Sequence, residues 1–171
     1  VIPYIASDFK KDSIWLKRTK PSKRQYQVMV CIDDSYSMQS NNAGLMACEA
    51  FVLIANALSR LEVGQIAISS FGETVKILHP FDQPFSAESG SKTISQFTFN
   101  HHKENKVFLQ ELIKIMDNAK TSSHTPHSSE MKQLILIISD GHFLSDFKKW
   151  VREAQEKGIF VVSINFDSNP N

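Results

Sequence analysis

Residues 26–32 (YQVMVCI) are almost continuously apolar and rich in Val and Ile. A strand with one face in water alternates apolar and polar residues, so this one is expected to be covered on both faces. Residues 44–61 (GLMACEAFVLIANALSRL) then run long, Ala- and Leu-rich and without Pro, with Glu49, Asn56 and Arg60 on a narrow polar stripe, which predicts a helix. A doubly covered strand followed by such a helix is the opening of a sheet whose strands are mostly parallel, because only crossover helices cover both faces.

The alternation continues along the chain. Residues 65–71 (QIAISSF) and 74–79 (TVKILH) read as two strands joined by a tight turn at Gly72-Glu73, a hairpin. Residues 80–92, with Pro80, Pro84, Gly90 and several Ser, read as a loop, and residues 121–129 (TSSHTPHSS) as another. Between them, residues 104–120 repeat apolar side chains at helical spacing: Val107, Phe108, Leu112, Ile115 and Met116. Residues 134–138 (LILII) form a further buried strand. Residues 144–157 form an amphipathic helix with Phe147, Trp150, Val151 and Ala154 on one face, and Gly158 closes it ahead of a last strand at 159–166. The expected class is α/β: an open, doubly wound, mostly parallel sheet, Rossmann-like in layout, with one antiparallel edge strand and helices on both faces. No internal repeat is visible. Residues 1–25 lie outside the alternation and are expected to form a lead-in, packed onto a domain of residues 26–171 through Trp15 and Leu16.

With 171 residues, 42% hydrophobic and 22% charged, the chain has the size and balance of one domain with a sizeable core. A net charge of +1, from 19 basic and 18 acidic residues, gives no support for bulk binding to nucleic acid or to an anionic membrane surface. No uninterrupted apolar run is long enough to cross a bilayer. The first residues, Val-Ile-Pro-Tyr, show neither a signal peptide nor an initiating Met, and the chain is expected to be a fragment of a longer one. Cys31 and Cys48, both in apolar runs, read as isolated buried thiols, which favours an intracellular setting. The basic run 17–24 (KRTKPSKR) reads first as a solvated lead-in and second as a nuclear localisation signal.

Open α/β sheets bind ligands outside the carboxyl ends of their strands. Two acidic motifs fall there: Asp33-Asp34-Ser35-Tyr36-Ser37 directly after the first strand, and Ser139-Asp140-Gly141 directly after residues 134–138. A hard divalent cation wants oxygen donors, and Mg²⁺ wants six of them at about 2.1 Å. An Asp-x-Ser-x-Ser loop leaving a strand can aim one carboxylate and two hydroxyls at one point. Asp140 can add a second carboxylate and Thr98, in 96–100 (QFTFN), a third hydroxyl. Asp34, turned the other way by the strand alternation, is expected behind the ligands or facing solvent. Gly141 is expected to serve the backbone turn. Glu49 is expected to face solvent or pair with a basic group.

Asp33-x-Ser35-x-Ser37 at the end of a buried strand, a long apolar helix after it and Asp140-Gly141 later resemble the metal-ion-dependent adhesion site (MIDAS) of von Willebrand factor A domains, over about residues 26–166. The resemblance implies that Asp33, Ser35, Ser37, Thr98 and Asp140 hold Mg²⁺, with Mn²⁺ or Ca²⁺ as substitutes, and that the ion docks a Glu or Asp of another protein. Many members of the family have the threonine in a Gly-Thr-x-Thr stretch, where this chain has Phe97-Thr98-Phe99, so Ser91, Ser95 or a water are alternatives for that position. The run WLKRTKPSKRQYQVMVCIDDSYSM is similar to the C-terminal domain of the giant AAA+ ATPases of large ribosomal subunit assembly. That similarity implies a nuclear and nucleolar setting, and as partner a ubiquitin-like domain of a ribosome assembly factor, removed from pre-60S particles by the parent ATPase. The neighbours of the ligands, Tyr36, Met38, Gln39, His142 and Phe143, are expected to form the rim that contacts the partner.

The main rival is a Mg²⁺-dependent phosphohydrolase of the haloacid dehalogenase type, which also carries an Asp after its first strand. Such an enzyme needs a second Asp two residues later as acid and base, and here that position is Ser35, which cannot transfer protons near neutral pH. There is no Walker-type phosphate loop, so nucleotide hydrolysis within this chain is not expected. His101-His102 and His124-Thr125-Pro126-His127 match no common zinc spacing and read as loop histidines. Phe97, Phe99 and Phe108 read as core rather than as a base-stacking platform.

Overall fold

In the computed structural model, which describes residues 26–102, 107–122, 131–141 and 147–166, the first buried run forms β1 (Tyr26–Asp33). There follow a 3₁₀ turn (Tyr36–Asn42), α1 (Ala43–Arg60), β2 (Gly64–Phe71), β3 (Lys76–His79), α2 (Ala87–Ile94), α3 (Phe108–Ser122), β4 (Lys132–Ser139), α4 (Phe147–Glu156) and β5 (Ile159–Asn165). The expected lead-in, with Trp15, Leu16 and the basic run, lies outside the described residues. The strands make one five-stranded sheet in the order β3-β2-β1-β4-β5. β1 pairs in parallel with β2 on one side and β4 on the other, β5 runs parallel to β4, and β3 is the antiparallel edge. The chain therefore winds outward from β1 in both directions, and the carboxyl ends of β1 and β4 meet at the point where the winding reverses.

Alternate residues of β1 feed two separate core layers. Met29 and Cys31 pack with Ile135, Ile137 and the buried face of α3 on one side. Val28, Val30 and Ile32 pack with Ile68, Ile138 and Phe51 of α1 on the other. Burial on both faces makes β1 intolerant of slippage, since a shift by one residue would exchange the two layers. α3 buries Leu109, Leu112, Ile113 and Met116, an i, i+3, i+4, i+7 stripe, whereas Val107 precedes the helix and is 40% exposed. The stretch 80–92 is not all loop: Ser86 caps α2, its hydroxyl accepting from Ser89 N–H while the Ser89 hydroxyl accepts from Ser86 N–H. α1 is broader in its apolar surface than the expected stripe allows. It buries Ala43, Gly44, Ala47, Phe51 and Ala55, and leaves Leu45, Met46, Val52 and Leu53 exposed. By length and composition α1 could cross a membrane (18 residues, mean hydropathy 1.3). The helix of a packed domain passes the same test, and here Ala47 and Phe51 seat α1 on the sheet beside Val28 and Val30.

At the end of the sheet opposite Asp33, three glutamines stand side by side on neighbouring strands. Gln27 donates to Gln65 Oε1 at 2.7 Å, and Gln133 donates to Gln27 Oε1 at 2.8 Å. Gln133 also donates to the Met116 carbonyl at 2.6 Å, so a side chain from the sheet is tied to the backbone of α3. Replacing Gln133 with Ala leaves a buried carbonyl and a buried amide without this donor. The expected loss is about 1–3 kcal/mol of stability, read as a lower urea midpoint at unchanged slope. A midpoint equal to that of the parent chain would show that the ladder contributes nothing.

Candidate metal centre

Asp33 is the last residue of β1 and is 7% exposed. Its Oδ1 accepts the Ser35 N–H at 2.9 Å, a tight Asp turn that folds the motif back on itself. The same fold brings the Ser35 and Ser37 hydroxyls to 2.9 Å from one another. Burial pushes the Asp33 carboxyl above its ordinary 3.8. The Ser35 hydroxyl and N–H and the Ser139 hydroxyl pull it down, and the charge of Asp140 pushes it up again. Asp33, Ser35, Ser37 and Asp140 are thus gathered at the switch point, with Ser139 as a further hydroxyl beside them. Gly141 makes the turn after β4 at φ +84°, and its N–H donates to the Ser139 hydroxyl at 3.0 Å. A Cβ there would lie 3.3 Å from the Asn165 side chain.

Asp34 projects the other way, as the alternation predicts, and is 4% exposed rather than facing solvent. Its Oδ1 accepts the N–H groups of Thr98, at 2.9 Å, and of Phe99. Its Oδ2 lies 3.4 Å from His101 Nε2. The loop that carries Thr98 is therefore docked on the first motif, and a bridge between Ser35 and His101 extends the contact, with Tyr36 N–H donating to the His101 carbonyl at 2.9 Å. The Thr98 residue itself remains exposed. Ser91 lies within α2, and the Ser95 hydroxyl donates to the Lys92 carbonyl at 2.8 Å, so neither serine is docked as Thr98 is.

Of the expected rim, Tyr36 is 51% exposed with its ring 4.7 Å from that of His102, and Gln39 donates to Asn100 Oδ1 at 2.8 Å. Met38 does not belong to the rim. It is fully buried among Ala43, Ala47 and the sheet, because the 3₁₀ turn places it on the inward side three residues after Ser35. His142 and Phe143 lie outside the described residues. That Asn100 and His102 stand beside Gln39 and Tyr36 was not legible from the sequence, since the loop that brings them lies far from the motif along the chain.

The donor set suits a hard cation. Among the described residues no three His, Cys, Asp or Glu side chains gather as a nitrogen- or sulfur-rich cage would require. What gathers instead is Asp33 and Asp140 with the hydroxyls of Ser35, Ser37 and Ser139. Two carboxylates drawn together, one of them buried and the other half-buried, would be relieved by a cation, and oxygen-only donors suit Mg²⁺, Mn²⁺ or Ca²⁺.

Residues 27–171 match the von Willebrand factor type A domain family, and the chain belongs to it. Domains of this family with a MIDAS motif are metal-dependent protein-interaction modules. The particular protein this chain is similar to is midasin. It is 51% identical over 176 residues to midasin of Dictyostelium discoideum, covering 100% of this chain and 3% of that one. It is 37% identical over 172 residues to midasin of Giardia intestinalis, covering 99% of this chain and 4% of that one. The chain thus spans only a small part of the length of these relatives. Among solved structures, proximal thread matrix protein 1 of the mussel byssus superposes with a TM-score of 0.66 at 18% identity, over 85% of this chain and 38% of that one. The same protein with a zinc-occupied MIDAS motif gives 0.63 at 17% identity, over 82% and 38%. At such identities the likeness is one of fold.

The raised Asp33 pKa carries a stability consequence. A carboxyl whose folded-state pKa lies above its unfolded value contributes most at low pH, and that contribution is lost as pH rises from about 3.8 through the folded value. At neutral pH the metal-free fold therefore bears the cost of a buried charge. Asp33→Asn should raise the thermal midpoint of the EDTA-treated chain at pH 7, by about 2–4 °C for each ~1 kcal/mol relieved. The same substitution should abolish the upward shift that Mg²⁺ produces in the parent. A lower midpoint for the variant in EDTA would contradict the assignment.

Proposed function

We propose that the chain is a Mg²⁺-dependent docking module. Its ion, held by Asp33, Ser35, Ser37, Thr98 and Asp140, takes up a Glu or Asp side chain of a protein partner. The observation that carries this reading is the convergence of two strand-end acids, one of them buried, with paired serine hydroxyls at the sheet's switch point. With hydroxyls as three of the donors, the ion keeps enough positive charge to favour an incoming carboxylate, which would exchange a water for a full negative charge in a partly dry site. Mn²⁺ and Ca²⁺ would serve as substitutes. The chain's own residues orient the ion and present the rim of Tyr36 and Gln39 with their loop partners His102 and Asn100.

The similarity to midasin supports the finer reading. The partner is then a ubiquitin-like domain of a ribosome assembly factor, removed from pre-60S particles by an AAA+ ATPase to which this domain is joined, in the nucleolus and nucleoplasm. The domain itself docks and does not catalyse. The residue two after Asp33 is Ser35, whose hydroxyl has no pKa suited to proton transfer and lies against Ser37.

Titration calorimetry with such a ubiquitin-like domain tests this. Binding in Mg²⁺ should vanish with EDTA or with Asp33→Ala, while circular dichroism of the chain stays unchanged. Replacing the partner's metal-seeking acid with Ala should weaken binding by about 2–5 kcal/mol. Binding that persists in EDTA would exclude the metal as the docking point. Phosphate-ester turnover that depends on Asp33 would instead identify an enzyme.

A further inference from the structure

We propose that Asp34 is a positioning residue, which seats Thr98 against the metal by holding the backbone of its loop. This rests on the reading of Asp33, Ser35, Ser37, Thr98 and Asp140 as the ligand set, and concerns a residue outside that set. Adjacent carboxylates on one strand end have divided roles here. Asp33 faces Ser139 and Asp140, while Asp34 faces the loop.

Three features of the loop show that its seat is specific. Asp34 Oδ1 receives two successive N–H groups, those of Thr98 and Phe99, the arrangement by which a turn of backbone cradles an anion. Phe99 stands at φ +52°, which a bulky aromatic residue adopts only when its surroundings enforce it. Finally, the loop lies so close to its neighbours that a Cβ at Gly44 would come within 2.9 Å of the Phe99 ring, and one at Gly72 within 2.9 Å of the His101 Cβ. The glycines open the space and the Asp34 carboxylate sets the height of the loop within it. Without the carboxylate the strained turn at Phe99 loses the acceptor that holds it, and the Thr98 backbone is no longer tied to the first motif. Outer residues that orient a ligand typically alter metal affinity by about 10–100-fold when removed.

Mn²⁺ affinity of the 171-residue chain, measured by electron paramagnetic resonance, tests the proposal together with amide hydrogen exchange at Thr98 and Phe99. Asp34→Ala should weaken Mn²⁺ binding by about 10–100-fold and accelerate both amides. Asp34→Asn, whose side-chain oxygen can still accept both N–H groups, should restore most of the affinity and the slow exchange. Thr98→Ala should weaken binding as well, and the Asp34→Ala/Thr98→Ala double variant should bind no more weakly than the weaker single one. If Asp34→Ala fails to fold, Asp34→Ser, too short to reach both amides, takes its place. Affinity equal to the parent's in Asp34→Ala or Asp34→Ser, no rescue by Asp34→Asn, or fully additive losses in the double variant would each overturn the positioning role. Unchanged Mn²⁺ affinity in Asp33→Ala would instead sink the ligand set itself, independently of Asp34.

Discussion

Two carboxylates, Asp33 and Asp140, are brought together at the carboxyl edge of the sheet, where burial first and the charge of Asp140 as well work against the charge of Asp33. No packing argument favours that arrangement. Its cost is borne by the strands beneath it. β1 is buried on both faces from Val28 to Ile32, and its pairing with β2 and β4 is continuous up to the acid. A strand so constrained cannot yield by slipping or rotating, so Asp33 stays where it is destabilising and where a cation would reverse the penalty. Stability is concentrated in the apolar layers and conflict is confined to the edge, the usual division between platform and site.

Much of this was legible because the two hydrophobic periods are clean. The runs in β1 and β4 could only belong to strands covered on both faces, and a parallel sheet with acids at two strand ends followed from that. What escaped the sequence was non-local or masked by composition. α2 lies in a stretch rich in Ser, Pro and Gly. It forms because Ser86 and Ser89 cap it reciprocally, and because Thr93 and Gly90 find burial, Gly90 against Phe85. Gln27 and Gln133 sit inside apolar runs and are hydrogen-bonded to one another and to residues far along the chain. Met38 adjoins the ligands in sequence, yet a 3₁₀ turn repeats every three residues and sends it inward with Ser35, while Tyr36 and Gln39 stay outside. The direction of Asp34 was readable from the pleat. Its counterpart was not, because the loop it holds is separated from it by 64 residues.

Under the proposed function, the same loop would join ligand placement to partner selection. Capture of a carboxylate by a metal is generic, since any exposed Glu or Asp offers the same oxygens, so discrimination must come from the surface around the ion. Tyr36 meets His102 and Gln39 meets Asn100, so each rim contact spans from the first motif to the Thr98 loop. The rim is therefore assembled only when that loop is seated. Under the proposed function, anything that displaces the loop would alter the metal's hydroxyl donor and the contact surface together.

The sheet and helices persist in a mussel matrix protein at 18% identity, so the platform needs little beyond the right pattern of apolar residues. Identity of 51% to a midasin across the whole chain is far more than that pattern requires. Within this chain the tightest fits lie where the loop of residues 97–101 meets the first motif and the start of α1. Gly44 lies under the Phe99 ring, Gly72 under His101 and Asp34 beneath two backbone amides. Each leaves the core intact in principle and fixes one loop. On this fold the sheet fixes the strand-end acids, and the position of one loop beside them is set by close contacts rather than by the apolar layers.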